Sequence, residues 1–197
     1  MKKVSIIVLA LVAIYLLAVP PVLGQGGEGT KSGNVQREHF AAMAYGQTGA
    51  MGGKAISMSF IINEYSADQE VHQLAQILRE GGQEKLLSAL GKLNGKGRIA
   101  SVNWTGCAVR VIRQRPTEKG RRVFLLTDRP IAIYEVKNRT RSRDYPFGLA
   151  ILDLDANNKG EGVLYAAAKI KFDKDDQLEI EHYGIDPFRL ANVHLRK

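Results

Sequence analysis

Residues 162–183 read GVLYAAAKIKFDKDDQLEIEHY, and this stretch indicates the fold class. From Ala168 onward, apolar and charged residues alternate, which is typical of a β-strand with one buried face. Four charged residues, Asp173–Asp176, interrupt the alternation and favour a turn. We therefore predict a hairpin formed by residues 162–172 and 177–183.

The two strands of this hairpin fit together in one register. On one face it pairs apolar side chains, Phe172 with Leu178 and Ile170 with Ile180. On the other face it pairs opposite charges, Lys171 with Glu179 and Lys169 with Glu181. A slip of one residue would turn the charged side chains toward the core, so the sequence specifies the register strongly.

The same period of two begins near Arg98 and continues toward the end of the chain without an intervening helix. An earlier strand is predicted at residues 56–62. The later strands are predicted at residues 98–103, 106–113, 121–128, 131–137, 147–154, 162–172, 177–183 and 188–195. Consecutive strands with turn residues between them favour an antiparallel sheet, folded as a sandwich or a partly closed barrel.

Two short helices are predicted before these strands. Ser66 and Gln69 have the spacing of a capping box, in which two side chains bond the first backbone N–H groups of a helix. Apolar residues then recur at helical spacing up to Gly81–Gly82, and again from Gln83 to Leu93. The double glycine is predicted to separate two helices. The predicted fold class is therefore α+β, a helical hairpin packed on the antiparallel sheet.

The first residues are predicted to direct export and to take no part in the fold. Lys2 and Lys3 precede an uncharged run that two prolines end, which is the pattern of a secretory signal peptide. We predict a signal peptide at residues 1–24, a flexible glycine-rich leader at 25–37 and a single domain at 38–197. An uncleaved membrane anchor is the alternative, but a spanning helix needs roughly 20 apolar residues and this run is shorter. The protein is therefore expected in the periplasm or outside the cell.

The composition is that of an ordinary globular domain, with 45% apolar and 24% charged residues. It excludes collagen-like, fully disordered and polytopic membrane proteins. The single cysteine, Cys107, excludes an internal disulfide framework and a zinc site built from several thiolates. Because Cys107 alternates with Val109 and Val111, we predict that it is a small buried side chain.

One segment resembles the start of a calcium-binding loop. Asp153, Asp155 and Asn157 supply oxygen atoms at its first, third and fifth positions. Asn158 stands where the sharp turn needs a glycine, and Leu164 stands where the loop needs a glutamate. A hairpin turn accounts for the same residues. We therefore predict no bound metal ion and no cofactor.

No catalytic arrangement is specified by the spacing of the candidate residues. None of the four histidines belongs to a metalloprotease motif, and no nucleophile elbow is present. His182 and His194 lie on the last two predicted strands, and Asp144 follows an arginine cluster. We therefore predict no catalytic residue. A secreted hydrolase with a site near Asp144 or these C-terminal histidines is the alternative.

The most informative feature is a segment rich in arginine. Residues 110–143 hold eleven basic side chains and three acidic ones, and nine of the basic residues are arginines. If residues 106–113 and 121–128 pair as a hairpin, two arginine clusters meet at its tip, where they suit carboxylate, phosphate or sulfate groups. The candidate anion-binding residues are Arg113, Arg115, Arg121, Arg122, Arg139, Arg141 and Arg143. The alternative is a set of solvated turns, neutralised in part by Asp128 and Asp144.

Together these observations predict an exported, non-enzymatic binding module whose basic loops contact an anionic ligand or an envelope polymer. The net charge of +8 would permit nucleic-acid binding, but an exported protein is not expected to have nucleic acid as its natural partner. Contact with a membrane is expected only through an uncleaved leader. A structural or interaction subunit of the cell envelope, pairing through an exposed strand edge, is a further alternative.

Overall fold

Nine β-strands and one α-helix make up the regular structure of the described part of the chain. The structure, a computed structural model, describes residues 37–48, 51–102, 104–131, 133, 144–174, 176–182 and 186–196. The strands are β1 (Glu38–Tyr45), β2 (Ala55–Ile62), β3 (Gly97–Ser101), β4 (Trp104–Thr117), β5 (Gly120–Thr127), β6 (Phe147–Asp155), β7 (Lys159–Phe172), β8 (Leu178–His182) and β9 (Phe188–Leu195). The helix, α1 (Asp68–Gly91), lies between β2 and β3. The protein is therefore mostly β.

Eight of the strands form a closed antiparallel barrel. Their order around the barrel is β6, β5, β4, β3, β2, β1, β9 and β7, and β7 also pairs with β6. β8 lies outside this ring, on the part of β7 that extends beyond its pairing with β9. Closure gives each of the eight strands a neighbour on both sides, which removes the free edges of an open sheet.

β1 closes the barrel, and it is absent from the strands predicted from the sequence. Small side chains, chiefly alanine, weaken the alternating pattern of this segment. β1 pairs with β2 along one edge and with β9 along the other. Without β1, β2 and β9 each keep a free edge, which is the open arrangement expected from the sequence. The predicted α+β fold, a sandwich or partly closed barrel under a helical hairpin, is therefore wrong.

The two ends of the barrel carry different connections. The β4–β5 and β6–β7 turns lie at one end, together with the start of β1 and the end of β9. We call this the turn end. The β1–β2 and β3–β4 connections lie at the opposite end.

Aromatic and aliphatic side chains fill the barrel interior. Phe40 on β1, Met58 and Phe60 on β2, and Phe188 on β9 are buried there. Cys107 is buried in the same cluster, as the sequence predicted. Burying one large apolar side chain stabilises a fold by roughly 1.5–3 kcal/mol, so this interior is the main source of stability.

α1 covers one outer face of the barrel. Leu74, Leu78, Leu86 and Leu90 pack against outward side chains of the sheet, among them Phe147. Helix contacts fall mainly on β7 and β4. Within the part of the chain that the structure describes, no helix is both long enough and apolar enough to cross a membrane.

The predicted helical hairpin is replaced by this single helix. The helix continues from Asp68 to Gly91, and the departure from helical geometry inside it is confined to Gly82, with φ 66°. Side-chain-bearing residues avoid that region of φ, whereas glycine adopts it readily. The double glycine therefore separates two helical segments at a kink, as predicted, but the segments do not form the predicted hairpin.

Ser66 pairs with a strand and does not cap α1. The N-cap residue is Ala67, which makes no side-chain cap bond. Ser66 Oγ accepts a hydrogen bond from the Ile112 N–H at 3.3 Å, and the Ser66 N–H donates to the Ile112 carbonyl at 2.7 Å. β4 extends well past Gly97, the first residue of β3. The buried backbone groups in this extension of β4 need other partners. The predicted capping box is wrong because this tertiary contact uses Ser66.

The β7–β8 hairpin has the register predicted from its alternation. Phe172 pairs with Leu178, Ile170 with Ile180, Lys171 with Glu179 and Lys169 with Glu181. Lys171 Nζ lies 3.1 Å from Glu179 Oε2, and Lys169 Nζ lies 3.6 Å from Glu181 Oε2. This prediction is confirmed.

Some predicted segments lie outside the described residues, among them the signal peptide and all of the leader except Arg37. Of the predicted strand 131–137, only Ile131 and Ile133 are described, and neither belongs to a strand. Ile131 is buried in the barrel core, and its N–H donates to the Ala166 carbonyl at 2.8 Å. At these two positions the strand prediction is wrong.

Candidate functional site

The β4–β5 hairpin brings the first two arginine clusters together at the turn end. Arg115 lies opposite Arg122, and Pro116 lies opposite Arg121. Arg113 lies two positions before Arg115 on β4, opposite Phe124. The hairpin assumed from the sequence is therefore present. The direction in which each arginine points decides what it contacts.

Arg121 points into the barrel mouth. Its Nη2 atom lies 2.6 Å from Glu38 Oε1 and donates to Asn158 Oδ1 at 2.6 Å. Its Nη1 atom donates to the Tyr65 hydroxyl oxygen at 3.1 Å and to Gln114 Oε1 at 2.8 Å. Tyr65 in turn donates its O–H to Glu38 Oε2 at 2.5 Å. We call these five side chains the mouth network.

The mouth network lies directly above the apolar interior. The guanidinium carbon of Arg121 is 5.8 Å from the centre of the Phe40 ring. Burial and the adjacent Glu38 carboxylate raise the pKa of Tyr65, so its hydroxyl stays protonated and donates. Burial opposes the charge on Arg121, but hydrogen bonds to Glu38 and Tyr65 raise its pKa overall. Arg121 therefore serves to close the barrel mouth.

Arg122 points outward and forms a two-pronged ion pair. Its Nε and Nη2 atoms donate to Asp153 Oδ1 and Oδ2 at 2.5 and 3.1 Å. Asp153 lies directly opposite Arg122 in the β5–β6 register. Both side chains are partly exposed, at 40% and 45%. Such an exposed pair contributes little to stability, about 0–1 kcal/mol.

Arg113 is paired with the first turn of α1. Its Nη1 atom donates to Asp68 Oδ1, and this bond lowers the pKa of Asp68. A carboxylate at a helix N-terminus also interacts favourably with the helix dipole. The Arg113–Asp68 pair therefore ties the start of α1 to β4.

A row of charged side chains crosses the outer face at the turn end. It runs from Arg115 on β4 through Arg122 and Asp153 to Glu161 on β7, because each lies opposite the next. Arg189 on β9 completes it, with Nη2 3.0 Å from Glu161 Oε2. We call this row the charged belt. Burial and the nearby Arg113 charge lower the pKa of Arg115, the end of the belt.

The remaining sequence candidates are Arg139, Arg141, Arg143 and Asp144. Arg139, Arg141 and Arg143 lie outside the described residues. Asp144 is exposed, and its carbonyl oxygen accepts a hydrogen bond from Gln83 Nε2 at 3.2 Å.

The C-terminal histidines lie at different levels of the barrel. His182 lies opposite Ala168, whereas His194 lies opposite Lys159. Nine positions along β7 correspond to roughly 30 Å. Both ring nitrogens of His182 are buried without a hydrogen-bond partner, and its ring centre is 6.2 Å from that of Tyr165. The structure therefore does not bring His182 and His194 into one site.

The segment that resembles a calcium loop is the β6–β7 hairpin turn, as predicted. Asp155 Oδ1 accepts backbone hydrogen bonds from Asn157 at 2.8 Å and Lys159 at 2.9 Å. Asn158 adopts φ 58°, a value that asparagine tolerates in tight turns. The Asp153 carboxylate and the Asn158 side chain bind arginines, so intramolecular contacts occupy these oxygen atoms. Among the described residues, no group of three or more His, Cys, Asp or Glu side chains is arranged to hold a metal ion.

Sequence reasoning missed the mouth network. Glu38 and Tyr65 stand 83 and 56 positions before Arg121. Neither residue belongs to a motif, and only the closure of the barrel through β1 brings Glu38 to the hairpin. A strand assignment for residues 38–45 would have placed Glu38 at the barrel end, although not beside Arg121.

No protein-family model, curated protein or solved structure matches the chain.

Proposed function

We propose that the protein is an exported, non-enzymatic binding module for an anionic ligand or envelope polymer. The observation that carries this proposal is the position of Arg115 directly opposite Arg122 on the outer face of the turn end. Like charges placed opposite each other on neighbouring strands are unfavourable. Asp153 already balances the charge of Arg122, and an anion that bridges the two guanidinium groups would take the place of Asp153.

The filled interior supports an outer surface as the binding site. Phe40, Phe60 and Phe188 occupy the part of the barrel where small barrels of other kinds hold a ligand. A partner therefore meets the outward side chains, including Arg113, Arg115 and Arg122. Arg121 is excluded from this surface because it belongs to the mouth network.

The exposed Arg122–Asp153 pair fits this role. Its small contribution to stability means that Arg122 can exchange Asp153 for an anion of the partner at little cost. Arginine binds carboxylate, phosphate and sulfate groups through two parallel hydrogen bonds. The same fork that holds Asp153 suits each of these ligands.

A salt-dependent titration with heparin tests the proposal. The wild type is expected to bind at about 0.1 M NaCl and to release heparin at about 1 M, because the screening length falls from about 10 Å to about 3 Å. The variant R115S/R122S is expected to bind more weakly. The control K85S/K92S loses the same charge from exposed positions in and directly after α1 and should bind like the wild type.

Absence of binding by the wild type, or binding that does not change with salt, rejects the proposal. Equal weakening in R115S/R122S and K85S/K92S rejects the hairpin as the contact, because net charge alone then explains the effect. The hydrolase alternative receives no comparable support, since Asp144 is exposed and the two C-terminal histidines lie on different parts of the barrel.

A further inference from the structure

The barrel face formed by β9, β1, β2 and β3 is strongly asymmetric in charge. Outward positions at its turn end carry Arg37, His39, Arg98, His194 and Arg196, which we call the cationic face. His39, Arg98 and His194 point outward because their strand neighbours Phe40, Ile99 and Val193 are buried in the interior. Arg37 and Arg196 directly flank β1 and β9 and are exposed. The contacts of α1 fall mainly on β7 and β4, and few of them fall on these four strands.

Acidic side chains are almost missing from these four strands. Their sequences contain one acidic residue, Glu38, and its carboxylate is bound by Arg121 and Tyr65 in the barrel mouth. Arg37, Arg98 and Arg196 form no ion pair with any residue in the described ranges. By contrast, Arg113, Arg121 and Arg122 on the β4–β5 hairpin are all paired with acids.

Two arginines of this face lie at the ends of one row across the strands, with His39 and Ile61 between them. His39 lies opposite Ile61, and Ile61 lies opposite Arg98. On the other side, the Arg196 N–H donates to the His39 carbonyl at 2.7 Å. With neighbouring strands about 4.8 Å apart, the row from Arg196 to Arg98 spans roughly 15 Å.

Small side chains lie beside this row. Ala41 lies opposite Ser59, and Ser59 lies opposite Ala100. Met43 lies opposite Ser57 one step further along the strands. These residues leave the sheet surface low next to the long arginine side chains. A shallow depression of about 290 Å³, lined in part by Lys159, Asn192 and His194, continues the low surface across β9 to β7.

We propose that the cationic face binds an acidic polysaccharide, which lies across the small residues with its carboxylate or sulfate groups on the arginines. This inference rests on the proposed binding of an anionic partner and adds this face to the hairpin as a second contact surface. Arg98 and Arg196 supply forked donors at the two ends of the row. Ser57 supplies a hydroxyl group that can hydrogen-bond a sugar hydroxyl, whereas the Ser59 Oγ atom lies 2.6 Å from His39 Nε2 and is hydrogen-bonded to that ring.

The side chains of the face favour a polysaccharide over other polyanions. Proteins that bind single-stranded nucleic acid stack the bases on aromatic side chains, and among the outward residues described on these four strands the one aromatic ring is that of Tyr45, at the opposite end. Proteins that lie on membranes insert large apolar side chains. Alanine and serine line much of this surface, and its larger apolar side chains, Ile61 and Met43, are only partly exposed, which suits neither contact.

Titration of polygalacturonate against the full chain tests this inference. The double variant R98S/R196S is expected to bind at least about tenfold more weakly than the wild type at about 0.1 M NaCl, a loss of about 1.4 kcal/mol in binding free energy. The control K85S/K92S removes two positive charges from positions in and directly after α1. Its affinity should stay within about twofold of that of the wild type. Circular dichroism and urea unfolding verify that each variant is folded.

The outcomes separate this inference from the proposed function. If the wild type binds and R98S/R196S binds equally well, the cationic face is rejected, while loss of binding in R115S/R122S keeps the hairpin proposal. If the wild type binds neither polygalacturonate nor heparin, both proposals fail. Tighter binding to a single-stranded oligonucleotide or to anionic vesicles, lost in R98S/R196S, rejects the polysaccharide as the partner.

Discussion

Arg121 Nη2 lies 2.6 Å from Glu38 Oε1, although the two residues are 83 positions apart in the sequence. The side chains are only 21% and 18% exposed, in contrast to the open Arg122–Asp153 pair one residue away. Neighbouring arginines on the same strand therefore have different tasks. Arg121 holds the barrel mouth together, whereas Arg122 lies on the surface.

This difference predicts unequal costs for two similar substitutions. Arg121→Ser leaves the Glu38 carboxylate and the Tyr65 hydroxyl without their partner, and should lower the free energy of unfolding by about 2–4 kcal/mol. Arg122→Ser breaks an exposed pair and should cost about 0–1 kcal/mol. Urea unfolding of the two variants measures both values. Equal costs would contradict the assignment of Arg121 to the mouth network.

The contact between Ser66 and Ile112 predicts a local effect of Ser66→Ala. Ser66 is 5% exposed, and its Oγ atom accepts from the Ile112 N–H. Removing the acceptor leaves a buried donor unsatisfied, at a cost of about 1–3 kcal/mol. Hydrogen exchange at the Ile112 amide should become faster in the variant.

Ser57→Ala is the matched control for this change. Ser57 lies on the outer face of β2, where substitutions are expected to stay within about ±0.5 kcal/mol. Faster exchange confined to the start of α1, with the Ile112 amide unchanged, would indicate that Ser66 caps the helix after all.

Substitution of Gly160 by alanine is predicted to destabilise the fold. A Cβ atom built at Gly160 would lie 1.8 Å from the carbonyl oxygen of Asp153 on the neighbouring strand. Gly160→Ala therefore forces β6 and β7 apart, and should lower the free energy of unfolding by about 1–3 kcal/mol. Gly91→Ala, where no atom lies within 4 Å of the new Cβ, should be neutral or stabilising by up to about 1 kcal/mol. Thermal or urea unfolding of both variants decides the point, and a neutral Gly160→Ala would refute the close approach.

His39 predicts a dependence of stability on pH. Burial, Arg196 and Arg37 lower the pKa of His39 below its usual value of 6.5, so the folded state holds fewer protons there than the unfolded state. The free energy of unfolding should therefore fall as the pH drops below about 6.5, toward the lowered pKa of the folded state. Urea unfolding at about pH 7.5 and about pH 5.5 measures this fall. In His39→Asn the fall should be smaller, and an identical fall in the variant would contradict the role of His39.

Local pattern was sufficient to predict the β7–β8 hairpin. Its two faces carry independent signals, apolar pairs on one side and Lys–Glu pairs on the other, and both specify the same register. The position of the Arg113–Arg122 hairpin followed from the same period of two. Elements whose partners are adjacent in sequence were therefore accessible to sequence reasoning.

Barrel closure and the mouth network were not accessible in this way. β1 has an alanine-rich inner face, so its alternation is weak, and its role depends on pairing with β9 at the far end of the chain. The Arg121–Glu38 contact exists only once that pairing is made. Ser66 shows the same limit. Its local sequence fits a capping motif, but its side chain instead accepts a hydrogen bond from β4. The number of arginines in residues 110–143 indicated a high density of positive charge. It did not show which of these arginines have acidic partners.

The pairing of Phe40 with Leu195 has a consequence for how the chain assembles. Closing a loop of that length costs conformational entropy before any contact compensates for it, and folds dominated by such distant contacts form slowly. The hairpins from β4 to β8 need only short loops and can form first. Ring closure by β1 and β9 then comes last, and until that step two strand edges remain open to pairing with other chains.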